Sequence, residues 1–303
     1  MTIALITLAT SAPALGQDAA PVQPPVQWSD DPRAQLQITL EPFTIAGFRT
    51  DFDAGGNVSV RRAGWKLSLR QTISRRWTLA LNVLNEYSFA DYNVPPALGG
   101  GDPVDLLTTT RFLPSATYRF NKRWTGTVTG RFEITGESGA GFGKSLLGGG
   151  TLTARQRVSE RLTFGFGIGF MQRLESSVQI FPVPYFDWRP SDVLHIYSDH
   201  LGLTVERTLS GPWFLAVKAR YEPREYRLDN RPGALLPGGV LRDESAIIGV
   251  EIGYRPRPGV EAALEAGSIV HQSIELLKAN GGETFDDEAD PTMFIAGRVR
   301  FRF

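Results

Sequence analysis

Three histidines, His195, His200 and His271, are the residues of this 303-residue chain best suited to acid–base work. Ser198 and Asp199 stand beside two of them, so one reading is a serine nucleophile with a histidine base, which requires the two side chains to touch. His195 and His271 fall at strand positions expected to face the lumen; no hydrolase motif flanks them, and polar residues satisfied near a wall or in a loop are the simpler reading. Asp286, Asp287, Glu288 and Asp290 crowd one stretch, and clustered carboxylates can hold a hard divalent cation. Their spacing lacks the turn glycine of a calcium loop, so the stretch reads as a solvated acidic loop and no metal is assigned. Gly139 to Ser145 is part of a phosphate-loop pattern, but Ser138 stands where its first glycine belongs and no helical pattern follows. No residue is assigned as catalytic, and no cofactor is expected.

A larger set is charged and periodic. Arg131, Glu133, Arg155, Arg157, Arg173, Lys218, Arg220, Glu222, Glu251, Glu261, Glu265, Arg298 and Arg300 all fall on one phase of two-residue alternations. If the opposite phase faces lipid, these must face a lumen, because an Arg or Lys facing lipid at the bilayer midplane costs about 2–4 kcal/mol. A hydrated pore with a charged wall is one outcome, and cross-lumen salt bridges that fill the interior are the other. The basic residues recur on the last strand and the acidic ones on the two strands before it. That segregation predicts a transverse field with mild anion preference.

The elements carrying these residues have a period of two from about Ile38 onward. Trp77, Leu79, Leu81 and Val83 form one apolar stripe, Leu162, Phe164, Phe166, Ile168 and Phe170 another, and Met293, Ile295, Gly297, Val299, Phe301 and Phe303 the last. Connections alternate between short turns, such as Ser74-Arg75-Arg76 and Asn121-Lys122-Arg123, and longer stretches at 94–105, 137–147, 229–243 and 277–291. The pattern predicts an all-β fold: a single antiparallel transmembrane β-barrel with short periplasmic turns and longer extracellular loops. The count is about 14 strands. It falls to 12 if residues 194–209 are not a hairpin, since Pro182, Pro184 and Pro190 argue against ordinary ladder positions nearby.

Trp77, Trp124 and Trp213 follow short turns directly, and Phe120, Trp188 and Tyr254 precede them. These six read as an interfacial aromatic girdle. Phe301 and Phe303 end an alternating strand, which reads as an assembly signal presented to the barrel assembly machinery. At the other end, residues 1–16 read as a signal peptide with cleavage after Ala14-Leu15-Gly16, although the first basic residue is Arg33. Residues 17–34 read as a Pro-rich periplasmic linker and 35–303 as the barrel.

Phe181-Pro182-Val183-Pro184, Asp187-Trp188 and the run Tyr221-Glu222-Pro223-Arg224-Glu225-Tyr226-Arg227-Leu228-Asp229 resemble an uncharacterised family of bacterial outer-membrane β-barrel proteins, over about residue 113 to the end. The resemblance implies location and fold and carries no activity.

Composition narrows the remaining choices. With 32 basic and 32 acidic residues, the chain lacks the basic excess of a nucleic-acid binder, and with no cysteine it has no disulfide or thiolate chemistry. The expected location is the cell outer membrane, with its lipids and small solutes as partners. The leading function is a passive channel for small polar or anionic solutes. The alternatives are a non-catalytic structural or surface-binding barrel with a closed lumen, and a lipid-modifying enzyme.

Overall fold

The computed structural model describes residues 36–93, 104, 106–199, 201–231 and 236–303. The expected leader, the linker, His200 and most of the 94–105 stretch lie outside the described residues. The strands are β1 (Leu36–Gly47), β2 (Thr50–Asp51), β3 (Asn57–Thr72), β4 (Trp77–Asn93), β5 (Leu106–Arg119), β6 (Trp124–Glu137), β7 (Leu146–Arg157), β8 (Leu162–Arg173), β9 (Ser176–Trp188), β10 (Leu194–Asp199), β11 (Gly202–Thr208), β12 (Trp213–Arg227), β13 (Val240–Arg257), β14 (Val260–Leu277), β15 (Glu283–Ala289) and β16 (Thr292–Arg302). β2 and β15 are extensions at the long-loop end, and the other 14 strands form a closed antiparallel barrel. β1 closes it by pairing with β3 on one edge and β16 on the other. Residues 194–209 do form a hairpin, β10–β11, so the larger strand count holds.

Alternation explains the wall. Phe164, Phe166, Ile168 and Phe170 on β8, and Ile248, Val250 and Ile252 on β13, are exposed outside, while Arg131, Glu133, Glu251 and Glu261 are buried inside. An outward apolar band over an inward polar face is the pattern a barrel needs in a bilayer. Some inner positions must be small: a Cβ on Gly253 would overlap the Phe214 ring.

Two stretches read as exterior loops are structured. The 277–291 stretch carries β15, which pairs with β14. The 229–243 stretch ends inside β13, and its residues 240–243 are buried. The reason is a departure from a simple cylinder. Residues 221–227 of β12 turn into the lumen as a tongue, the inner edge of a sheet that continues through 240–245 of β13 to 272–277 of β14. β12 is buried at every position from 222 to 228, so both faces of the tongue are covered. One face meets β3 and β4 through Arg62, Glu86 and Ser88, and the other meets the β8–β9 turn. Its edge reaches the opposite wall, where Arg227 bridges Gly136 of β6 in parallel register.

Leaving the wall removes a neighbour. β12 pairs with β11 only from Phe214 to Arg220, with one further bond from Tyr221 N–H to Leu201 O. On the other side, β10 pairs with β9 only at Ile196↔Trp188 and Tyr197↔Asp187. Among the described residues, β9 is therefore strand-paired only to β8 over residues 176–185. Among the described residues this leaves a breach in the backbone ladder, between β9 and β12 and above the β10–β11 hairpin.

The three prolines along the breach fit this geometry. Phe186 N–H points to β10, where Ser198 Oγ accepts it, so Pro184 and Pro182, two and four residues earlier, occupy the same unpaired edge. Pro223 lies two residues beyond Tyr221, on the side of β12 that has lost β11. An unsatisfied N–H in hydrocarbon is costly, and proline has none.

Candidate functional site

The inside of the barrel holds a cavity of about 780 Å³. It runs from the short β13–β14 turn, at Arg257 and Gly259, to the underside of the tongue at Glu222 and Arg224. Its wall is ionic and ordered into shared pairs. Glu251 of β13 accepts from Lys218 of β12 at 2.5 Å and from Arg298 of β16 at 2.8 Å. Glu261 of β14 accepts from Arg298 at 2.5 Å and from Arg255 at 2.7 Å. Glu41 of β1 accepts from Arg300 at 2.6 Å, and Arg220 pairs with Glu222 and Glu265.

This corrects the expected transverse field. The acidic sector on β13 and β14 lies between basic strands that bond to it directly, so the opposite charges neutralise each other locally. A charge moved from water to a low-dielectric interior needs such partners, and adjacent strands supply them with the shortest reach.

Above the cavity the tongue is pinned by a second ionic layer. Arg62 bonds Asp243 at 2.8 Å, and Arg224 spans Glu222 at 2.7 Å and Glu86 at 3.1 Å. Glu225 takes Arg173 and the Leu174 N–H, while Arg242 bonds Glu275, Ser176 and Leu174 O. Past this layer the interior turns apolar: Tyr92, Leu107, Tyr226, Leu241 and Leu276 belong to one buried cluster that also takes in Leu228 and Leu236.

Other members of the charged set lie away from the cavity. Arg131 and Arg111 bracket Glu133 inside β5–β6, with Arg111 at 2.8 Å. The Arg155 guanidinium stacks on Tyr185 at 3.9 Å, and Arg157 is half-buried further along β7. Arg62, Arg111, Arg224, Arg227, Arg242 and Asp243 were missed in the sequence. Arg111 and Arg62 alternate with inward residues and could have been found. The tongue residues could not, because both of its faces are buried.

Among the described residues, which leave out His200, the histidine chemistry does not assemble. His195 faces the cavity and lies 3.2 Å from Asp187, with its ring against Tyr197. Ser198 lies on the other face of β10 and holds the Phe186 N–H. His271 was expected on the lumen phase, but it is exposed and lies 3.6 Å from Glu288. A β-bulge on β14, where Val270 is skipped between the pairs Ala246↔His271 and Ile247↔Ile269, shifts the phase there, so Val270 and His271 are both exposed. On β15 the carboxylates spread along a strand, with Asp287 accepting the Ala54 N–H. Burial and the neighbouring Glu275 push the Asp286 carboxyl up from its ordinary value.

The six girdle aromatics are exposed at the short-turn end. Trp77, Tyr118 and Phe120 form one stack, Trp213 and Tyr254 a second, and Phe186 and Trp188 a third. At the seam Phe303 exchanges two backbone bonds with Ile38, and Phe301 pairs with Leu40.

No protein-family model matches the chain, and no curated protein matches it. Among solved structures it is similar to the Pseudomonas putida toluene transporter TodX, at 8% identity and a TM-score of 0.46, covering 90% of each chain. It is also similar to an outer membrane channel from Pseudomonas putida F1, at 9% identity and a TM-score of 0.47, covering 93% of this chain and 100% of the other. A third is LpxR from Salmonella typhimurium, at 12% identity and a TM-score of 0.35, covering 87% of this chain and 99% of the other.

Proposed function

We propose that this protein resides in the cell outer membrane as a passive channel for small polar or anionic solutes, held shut toward the exterior by its own inward-folded wall. The observation that carries this is the cavity of about 780 Å³, lined by shared ion pairs of β1, β12, β13, β14 and β16 and ended by the tongue. A closed barrel with an outward apolar band supports the location, and the short-turn end with its aromatics is the periplasmic side. Because the wall charges are locally paired, anion preference is weak and disappears at high salt.

The tongue is the gate in this reading, and Arg224 is its main pin to β4. In planar bilayers the wild type gives small, intermittent current, and Arg224→Ala gives larger, steadier current at the same voltage. If both assemble into heat-modifiable barrels and neither conducts, the channel reading fails. The closed-lumen structural or surface-binding barrel then takes its place, the reading that the buried ion pairs of the tongue favour.

A further inference from the structure

We propose that the adjacent β3–β4 and β5–β6 turns form a binding site for anionic phospholipid headgroups, in the leaflet that meets the short-turn end of the barrel. Three neighbouring turns there share one design. Ser74, Asn121 and Ser159 open them, and each side chain accepts from the backbone N–H two residues on: Arg76 at 3.3 Å, Arg123 at 2.8 Å and Arg161 at 3.2 Å. Each turn thus satisfies a donor of its own and fixes an arginine at the foot of the next strand. In the first two turns the preceding place is also basic, Arg75 and Lys122. These four cations are exposed, and among the described residues none has a carboxylate within 4 Å. The third turn differs. Glu160 takes the preceding place, and Arg161 already pairs with Asp192 at 3.1 Å. The excess is local, since the whole chain balances 32 basic residues against 32 acidic ones.

Where the cations are held favours a lipid over a soluble acidic partner. Arg76 Nη1 donates to the Tyr118 hydroxyl at 3.2 Å. Tyr118 in turn packs on Trp77 and Phe120, with ring centroids 4.8 and 5.0 Å away. This stack belongs to the outward girdle, so the guanidinium lies at the depth where aromatic rings meet headgroups. Further along the same outward face Leu79 and Val128 are exposed and apolar. A lipid bound here lays its chains on that face and its phosphate among the cations. β4 and β6 are two ladder spacings apart, about 10 Å, which leaves each turn space for its own phosphate. Four cations with no acid beside them select a headgroup of net negative charge over a zwitterionic one. The inference rests on the membrane placement proposed above and not on ionic current.

The test is native mass spectrometry of the full-length protein, assembled as a heat-modifiable barrel and exposed to an equimolar mixture of phosphatidylglycerol and phosphatidylcholine. The wild type retains phosphatidylglycerol in preference. Arg123→Gln lowers the ratio of the two lipids bound about fivefold, and Arg76→Gln combined with it about twenty-five-fold. Arg161→Gln, at the same place in the third turn, leaves the ratio unchanged. If Arg123→Gln fails to assemble, Lys122→Gln replaces it with the same expected drop. A heat-modifiable wild type that binds the two lipids equally overturns the site and leaves the two turns to a soluble acidic partner. Equal drops for Arg123→Gln and Arg161→Gln overturn it as well, because the preference then follows net charge alone. A wild type that never becomes heat-modifiable in phospholipid removes the membrane placement, and the site with it.

Discussion

Glu133 shows what one residue must satisfy inside this barrel. It is 2% exposed, and both Arg111 and Arg131 bond to it. Removing the carboxylate leaves two guanidiniums that have lost their common acceptor in a region closed to water. Breaking a buried pair from one side costs about 3–5 kcal/mol, far more than the pair would seem to contribute if both partners were replaced. Glu133→Ala should lower the stability of the refolded barrel by about that amount in urea titrations. Asp192, exposed at a short turn beside Arg161, has the opposite environment. Water and salt already solvate both partners, so Asp192→Ala should leave the urea midpoint unchanged. Equal shifts for the two variants would mean that the interior is as wet as the surface. The charged residues were legible at this scale because alternation fixes a facing for every second residue. The pairing was not legible, since it depends on which strands are neighbours and at what register.

The elements carry the departures from a regular barrel, and each departure has a visible cause in particular residues. Pro182 and Pro184 sit oddly in a strand until β9 is seen to have no ladder partner on that side among the described residues, where a missing donor is no loss. The 229–243 stretch looked like a solvated loop because of Pro232, Gly233, Pro237, Gly238 and Gly239. Yet Leu236, Val240 and Leu241 bury themselves, since the tongue carries that stretch into the lumen. Phase counting also fails beyond a bulge, which is why His271 was misplaced. Strand existence survived all of this, because it rests on local alternation alone. The tongue gives its own prediction. Gly136 permits the close approach of β12, since a Cβ there would lie 2.8 Å from Arg227 O. Gly136→Val should push the end of the tongue from β6 and speed trypsin cleavage after Arg227 or Arg231. An unchanged cleavage pattern in the assembled variant would mean that the parallel bridge does not hold the tongue.

For the whole molecule, the requirement is closure, because in a bilayer every unpaired edge must be paired, removed or hidden. The breach hides its edges with prolines, a side-chain acceptor and a fold into the lumen. The β1–β16 seam has no such alternatives, and it joins residues more than two hundred positions apart along the chain. Its register runs from Thr39↔Arg302 to Gly47↔Phe294, interrupted around Pro42, whose missing donor already weakens it. The N–H groups of Ile38 and Phe48 both bond β16, at Phe303 O and Met293 O, so the N–H of Thr44 faces the same way. Thr44→Pro would delete a second donor from the seam, leaving the closing ladder broken at two places. Thr44 also donates its hydroxyl to Arg62 O at 3.2 Å on β3, so a control must separate that loss. Thr44→Val keeps the backbone donor and removes only the hydroxyl. The expected result is a large drop in heat-modifiable, assembled barrel for Thr44→Pro and near-normal assembly for Thr44→Val. Equal assembly of the two would show that the seam tolerates a second gap, and that closure is carried by the side-chain pairs of Arg298 and Arg300 with Glu41 rather than by the backbone ladder.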